Sequence, residues 1–149
     1  MLVPIILGSE SDKGFAEKIT KILDEWKIPY DIRVASAHKV PERVMDIVTD
    51  YNNDPEAICY ITIAGRSNGL SGVCAANSVH PVIACPPFKG KDDMMVNVNS
   101  SLMMPSDTPV MTVVDPKNAA MAAIRVLANT DKELLEKVKE HIKTIKSKF

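Results

Sequence analysis

Small polar residues, a histidine and a lysine follow three apolar segments of this chain, where they could bind and act on a small anionic molecule. The three groups are Gly8–Asp12 (GSESD), Ala35–Lys39 (ASAHK) and Ala64–Gly72 (AGRSNGLSG). Histidine titrates near neutral pH and serves as a general acid or base, while a neighbouring lysine can hold an anion. Glycines let the backbone approach a ligand closely. Together these groups predict proton transfer on a bound anion, with His38 and Lys39 at the site.

Each group also has a simpler interpretation as the start of a helix. Ser11 or Asp12 could cap one helix and Ser36 or His38 the next, and the third group could be a flexible turn. The ligand interpretation uses the same residues differently: hydroxyls of Ser9 and Ser11 and free helix N–H groups attract phosphate, and Asp12 accepts from ribose hydroxyls. The first group matches neither the P-loop nor the dinucleotide fingerprint, which argues against ATP and dinucleotides.

The rest of the chain alternates strand and helix patterns that would place these groups along one edge of a sheet. Apolar runs predict strands at Leu2–Leu7, Tyr30–Val34, Ile58–Ala64, Val79–Cys85 and Val110–Val114. Helical spacing follows at Phe15–Trp26, from Pro41, after Gly72, at Asn118–Asn129 and in the tail Asp131–Phe149. The alternation predicts a three-layer α/β/α fold with a mostly parallel sheet of about five strands and a C-terminal helix. In such sheets ligands bind beyond the carboxyl ends of the strands, where the three groups lie.

The segment Pro86–Pro109 shows no clear period and carries four of the prolines and four of the methionines. A long segment without a pattern is often functional or contacts a partner, and methionines there could line an interface. The alternative is a loop wrapped around the protein's own core. The residues alone leave both open.

Composition limits the function classes. The 149 residues fit one domain, 1–149, and the net charge of −1 gives no general attraction to nucleic acid or to an anionic membrane. Histidines and cysteines share no ligand spacing, so we expect no metal. Cys59 and Cys85 lie in apolar runs and are predicted to be core thiols, which suits a reducing cytoplasm. No apolar run is long enough to cross a bilayer.

Read in order, the three groups resemble a known enzyme family. Gly-Ser-x-Ser-Asp (8–12), Ser-Ala-His-Lys (36–39) and Ala-Gly-Arg-Ser-Asn-Gly-Leu-Ser-Gly (64–72) are similar to motifs of the aminoimidazole ribonucleotide carboxylases and mutases of purine biosynthesis. The resemblance continues through Cys-Pro-Pro (85–87), Ser-Ser-Leu-x-Met-Pro (100–105) and Pro-Lys-Asn-Ala-Ala (116–120). Each motif alone is weak, whereas the ordered set covers nearly the whole chain and is specific.

Within this family, the chain resembles the direct, CO2-using carboxylase branch. The mutase branch typically has Arg after the histidine and an AGAGGxAHLPG loop, where this chain has Lys39 and AGRSNGLSG. One position departs from the carboxylase branch, since Met103 stands where that branch usually has Arg. If that Arg makes a phosphate or subunit contact, the contact is either missing in this chain or comes from elsewhere, such as Lys89 or Lys91.

The resemblance implies a flavodoxin-like fold, a homo-octamer with sites at subunit junctions, and carboxylation without metal, biotin or another cofactor. His38 is then the general acid/base that moves the ring proton. The remaining implied roles are phosphate and ribose binding by Ser9, Asp12, Ser36 and Lys39, and contacts to the imidazole and CO2 by Gly65 and Ser67. The runner-up function is the N-carboxyaminoimidazole ribonucleotide mutase. From another class, a non-catalytic phosphate- or nucleotide-binding module also fits the strand-end groups.

Overall fold

The computed structural model describes residues 1–149, and its centre is one parallel sheet of five strands. These strands are β1 (Val3–Leu7), β2 (Tyr30–Val34), β3 (Tyr60–Ile63), β4 (Val82–Ala84) and β5 (Met111–Thr112), in the spatial order β2-β1-β3-β4-β5. β1 is buried at every position, as expected for a strand covered on both faces. The predicted three-layer α/β/α, flavodoxin-like fold is confirmed.

Six helices connect and cover the strands. They are α1 (Lys13–Trp26), α2 (Pro41–Asn52), α3 (Leu70–Asn77), α4 (Lys91–Leu102), α5 (Pro116–Leu127) and α6 (Lys132–Lys146). A single turn of 3-10 helix, Glu10–Asp12, precedes α1. Pro41 and Pro116 stand at the first positions of their helices, where a missing N–H costs nothing. None of the helices is long and apolar enough to span a membrane.

The two faces of the sheet carry separate apolar clusters. On one face, alternate residues of β1 pack against α1, α5 and α6; on the other, Ile6 packs against α2 and α3. The alanines of α5 let it approach closely, since Ala119, Ala120 and Ala123 are fully buried. The amphipathic tail is confirmed as a helix, because Leu134 and Val138 of α6 lie in the same core.

The strand order reverses between β1 and β3. From β1 the chain crosses to β2 on one side, and β3 and β4 then follow on the other. Where the chain leaves two adjacent strands in opposite directions, a crevice forms at the carboxyl ends of those strands. Ligands bind in this crevice in such sheets. The groups after β1 and β3 flank this crevice.

The structure differs from the sequence-based expectation in one helix and in the lengths of three strands. α4 occupies the segment for which no element was predicted, and its buried positions are Asn97, Val98 and Ser101. Two of these three side chains are polar, so no apolar stripe marks the helix in the sequence. The last three strands are shorter than the predicted runs Ile58–Ala64, Val79–Cys85 and Val110–Val114. In the last two of these runs, only the central residues pair with neighbouring strands.

Candidate active site

A cavity of about 680 Å³ lies at the carboxyl ends of β1, β2 and β3. Its wall is formed by the three polar groups together with parts of α1, residues 87–89 and α4. Six of the seven residues predicted for the site line it: Ser9, Asp12, Ser36, His38, Lys39 and Gly65. The seventh, Ser67, is exposed and does not line the cavity, so its contact to substrate remains a prediction.

The loop after β1 comes very close to the loop after β3. A Cβ on Gly8 would lie 3.0 Å from the Cβ of Ala64, which leaves no room for a side chain. The Ser9 hydroxyl accepts hydrogen bonds from the N–H and the hydroxyl of Ser11, at 3.3 and 2.9 Å. Ser9 therefore caps the 3-10 turn and also lines the cavity.

Asp12 precedes α1, but its carboxylate makes no capping hydrogen bond to the helix. Burial raises the pKa of the Asp12 carboxyl, and a backbone hydrogen bond with Ser9 offsets this only in part. A carboxylate that is partly buried without capping a helix is a costly arrangement for stability alone. Asp12 occupies the N-cap position of α1, but the prediction that its side chain caps the helix is wrong.

The loop after β2 carries the histidine–lysine pair. The backbone N–H groups of Lys39 and Val40 donate to the carbonyl of Ser36, which closes a tight turn. Val40 occupies the N-cap of α2, and no side chain caps that helix, so neither Ser36 nor His38 has the capping role. The His38 ring instead faces the third loop, where a Cβ on Gly69 would lie 3.2 Å from its Nε2 atom. Glycine at 69 thus makes room for the imidazole.

The loop after β3 is held by α4 rather than left flexible. The Asn68 amide donates to the Ser101 hydroxyl at 2.9 Å, and both side chains are buried. Asn97 of the same helix lines the cavity and contacts Gly65 and Arg66. Part of the unassigned segment thus contributes to the site wall.

The charged side chains around the cavity favour an anion. Four cations line it, Lys18, Lys39, Arg66 and Lys89, against the acids Asp12 and Asp93. On the same wall, the Phe15 and Phe88 rings meet edge to face, with centroids 6.1 Å apart. No group of three histidine, cysteine, aspartate or glutamate side chains lies close enough together to hold a metal ion.

Comparisons with known proteins agree with this geometry. The AIR carboxylase family model matches residues 2–148. The chain belongs to the AIR carboxylase family. Among its relatives, a phosphoribosylaminoimidazole carboxylase of Treponema denticola is 43% identical over 147 residues, or 96% of this chain and 89% of that protein. One from Archaeoglobus fulgidus is 41% identical over 138 residues, or 93% of this chain and 75% of that protein.

The fold of this family member also matches a solved structure. The crystal structure of Treponema denticola PurE superposes with a TM-score of 0.91 at 42% identity, covering 99% of this chain and 92% of that chain. The predicted family and the prediction of an enzyme are confirmed.

The sequence pattern does not point to several wall residues of this AIR carboxylase family member. Lys18 lies inside a helix and belongs to no motif, and Arg66 was not predicted as a site residue. Lys89 and Lys91 were both predicted as possible replacements for the Arg missing at position 103. Only Lys89 lines the cavity. The Met103 side chain is 89% exposed and lies outside the cavity. Met103 is therefore not part of this wall.

The three cysteines are free and buried, as predicted for Cys59 and Cys85. Burial raises the pKa of each thiol to about 12. Such thiols stay protonated near neutral pH and are poor nucleophiles. Covalent thiol chemistry is therefore not part of this site.

Proposed function

We propose that the protein carboxylates 5-aminoimidazole ribonucleotide with CO2, giving 4-carboxy-5-aminoimidazole ribonucleotide in de novo purine (IMP) biosynthesis, with residues 1–149 as one catalytic domain. The observation that carries this proposal is the place of His38: a titratable ring on the wall of a net-positive cavity, against Gly69 of the loop after β3. The names of the chain's relatives and the ordered motifs of its sequence support the same reaction.

The proposed mechanism needs one base and no cofactor. The aminoimidazole ring is an enamine, so its C4 atom attacks CO2 and forms the new C–C bond. The intermediate is tetrahedral at C4 and regains aromaticity when the C4–H bond breaks, returning its electron pair to the ring. His38 accepts that proton and then releases it to solvent. A positioned acid–base group of this kind contributes about 10²–10⁴-fold.

The other wall residues hold the reactants. Ser9, Asp12, Ser36 and Lys39 bind the phosphate and ribose, which would place the imidazole towards His38. Gly65 and Ser67 supply backbone and hydroxyl contacts near the reacting carbon. CO2 is apolar until it reacts, and backbone N–H groups fixed in the loop after β3 would stabilise the carboxylate as it forms.

Two other functions fit parts of the site. A mutase would take N-carboxyaminoimidazole ribonucleotide and move its carboxylate from nitrogen to C4; Lys39 and the AGRSNGLSG loop favour the carboxylase instead. A non-catalytic nucleotide-binding module would use the cationic wall but has no need for His38 beside Lys39.

A two-substrate assay without ATP separates these functions. One reaction contains aminoimidazole ribonucleotide, bicarbonate and carbonic anhydrase; the other contains fresh N-carboxyaminoimidazole ribonucleotide with CO2 removed. Product in the first reaction alone supports the carboxylase. Labelled carboxylate retained in the second identifies a mutase, and binding without product in either identifies the module.

We also propose that the enzyme is a cytoplasmic homo-octamer with sites at subunit junctions. Exposed apolar side chains on and beside α4 support a subunit contact near the cavity: Met95, Val96, Leu102 and Met103. The three free thiols suit a reducing compartment. Light scattering at micromolar concentration should give a mass near that of eight chains, and a clean monomer would contradict the shared site.

A further inference from the structure

α4 turns polar side chains towards the protein interior beside the cavity. Asn97 is 5% exposed and Ser101 is 2% exposed, and the apolar Val98 lies between them in the buried set. Burying an amide is unfavourable unless its donor and acceptor are both paired. Both groups of the Asn97 amide are paired, and each partner belongs to a different loop of the cavity wall.

The Asn97 amide joins these two loops. Its Oδ1 atom accepts from the backbone N–H of Arg66 at 2.7 Å, and its Nδ2 atom donates to the carbonyl of Pro87 at 2.7 Å. Arg66 lies in the loop after β3, and Pro87 in the loop after β4. One side chain therefore sets the distance between two walls of the site.

Arg66 needs such support because its backbone is left-handed. Its φ is 58°, a conformation that costs energy in a residue with a Cβ and that persists where neighbours hold it. Asn97 holds the N–H side of this residue, and the Ser100 hydroxyl donates to its carbonyl at 3.1 Å. The preceding residue is also close to Asn97, since a Cβ on Gly65 would lie 3.1 Å from the Asn97 Nδ2 atom.

We propose that Asn97 is a positioning residue for the carboxylation: by clamping Arg66 in its left-handed conformation, it aims the neighbouring backbone N–H groups of Gly65 and Ser67 at the forming carboxylate. This inference rests on the proposed function. Donors of this kind act through their fixed direction, and a misplacement of about 1 Å can cost about 10²-fold in rate. Asn97 itself acts through the loop and touches no reacting atom.

The clamp predicts a loss in kcat rather than in KM. Asn97→Ala leaves the Arg66 N–H unpaired, so we expect kcat to fall about 10- to 100-fold. KM for aminoimidazole ribonucleotide should rise by no more than about threefold, because the proposed phosphate and ribose contacts come mainly from the other two loops and only the charge of Lys89 lies beside the lost bond to Pro87. Hydrogen exchange followed by mass spectrometry should speed up in the peptide spanning residues 64–72.

Asn52 offers a matched control far from the cavity. Its amide also makes two hydrogen bonds to backbone, donating to the Asn77 carbonyl at 2.7 Å and accepting from the Val79 N–H at 3.0 Å, both in the one segment at the end of α3. Asn52→Ala therefore removes the same pair of bonds, but at the end of α2. We expect its kcat within about twofold of the native enzyme.

Asn97→Asp separates the two halves of the clamp, and thermal unfolding shows whether it is folded beside the alanine variant. The carboxylate keeps the acceptor for Arg66, while its second oxygen cannot donate to the Pro87 carbonyl and repels it. Residues 64–72 should then exchange as in the native protein while residues 86–89 exchange faster, and kcat should stay within about fivefold.

The proposal is overturned if Asn97→Ala keeps native kcat, if Asn52→Ala loses as much, or if exchange in 64–72 does not respond to Asn97→Ala. It is also overturned if Asn97→Asp loosens that segment. An inactive native protein would refute the proposed function, while the exchange results still report on the clamp.

Discussion

The contact between Gly69 and His38 allows the position of the histidine to be changed without changing the histidine. A Cβ at position 69 would lie 3.2 Å from Nε2 and 3.4 Å from Cε1 of the imidazole, closer than ordinary van der Waals contact. Gly69→Ala must therefore push the exposed ring aside by a few tenths of an ångström. Since a misplacement of about 1 Å can cost about 10²-fold, we expect kcat/KM to fall about 3- to 10-fold.

The same substitution should leave the fold intact. Gly69 has φ −80° and ψ −13°, a right-handed conformation that alanine adopts without strain. Alanine reduces the conformational entropy of the unfolded chain, which stabilises the folded variant by about 0.4–1 kcal/mol. Alanine is also less favourable than glycine at the N-cap of α3, and this destabilises the variant by a similar amount. The free energy of unfolding should then change by less than about 1 kcal/mol.

Gly90→Ala is the matched control, because Gly90 caps α4 and a Cβ there meets nothing within 4 Å. Steady-state carboxylation and thermal unfolding should be measured for both variants beside the native enzyme. Only Gly69→Ala should lose activity, while both variants stay folded. Equal activity of the two folded variants would refute the placement of His38 against this loop.

Three further predictions concern charges in and beyond the cavity. Lys89→Gln should raise KM for the anionic substrate about 3- to 10-fold with little change in kcat, more so at low salt, and an unchanged KM would remove Lys89 from the site. Burial raises the pKa of Asp12, so ionisation of this carboxyl lowers the stability of the fold as the pH rises above 3.8. Asp12→Asn should therefore raise the melting temperature more at pH 7 than at pH 3.5, and equal increases at the two pH values would contradict this. Burial would raise the pKa of Asp31, but hydrogen bonds from Tyr51, at 2.6 Å, and Arg33 lower it, so this stabilisation is present above pH 3.8 and lost in acid. Tyr51→Phe should therefore cost about 1 kcal/mol at pH 7 and less at pH 3, as measured by urea unfolding, and a loss that does not depend on pH would refute the pairing.

Most of the fold follows from apolar periodicity, and the exceptions have physical causes. β1 is an unbroken apolar run because helices cover both of its faces. α4 was missed because its buried face carries Asn97 and Ser101, which bond to the loop after β3 instead of filling an apolar core. Because polar residues occupy its buried face, α4 has no amphipathic pattern in the sequence.

Most residues of the site could be predicted because they follow the ends of strands. This pattern predicts which residues lie near one another, but it does not predict the directions of their side chains. His38 and Lys39 lie on the cavity wall as the topology requires. Ser67 does not, because the chain turns through the left-handed Arg66 immediately before it. That turn depends on Asn97, 31 residues away, and local sequence carries no record of the contact.

The most direct test of the central claim is the variant His38→Asn, examined for binding and turnover together. Asparagine keeps a polar side chain but cannot move a proton near neutral pH. We expect kcat to fall about 10²–10⁴-fold while calorimetric titration with aminoimidazole ribonucleotide gives a Kd within about threefold of the native value. A folded variant that turns over at the native rate would contradict the assignment of His38 as the base.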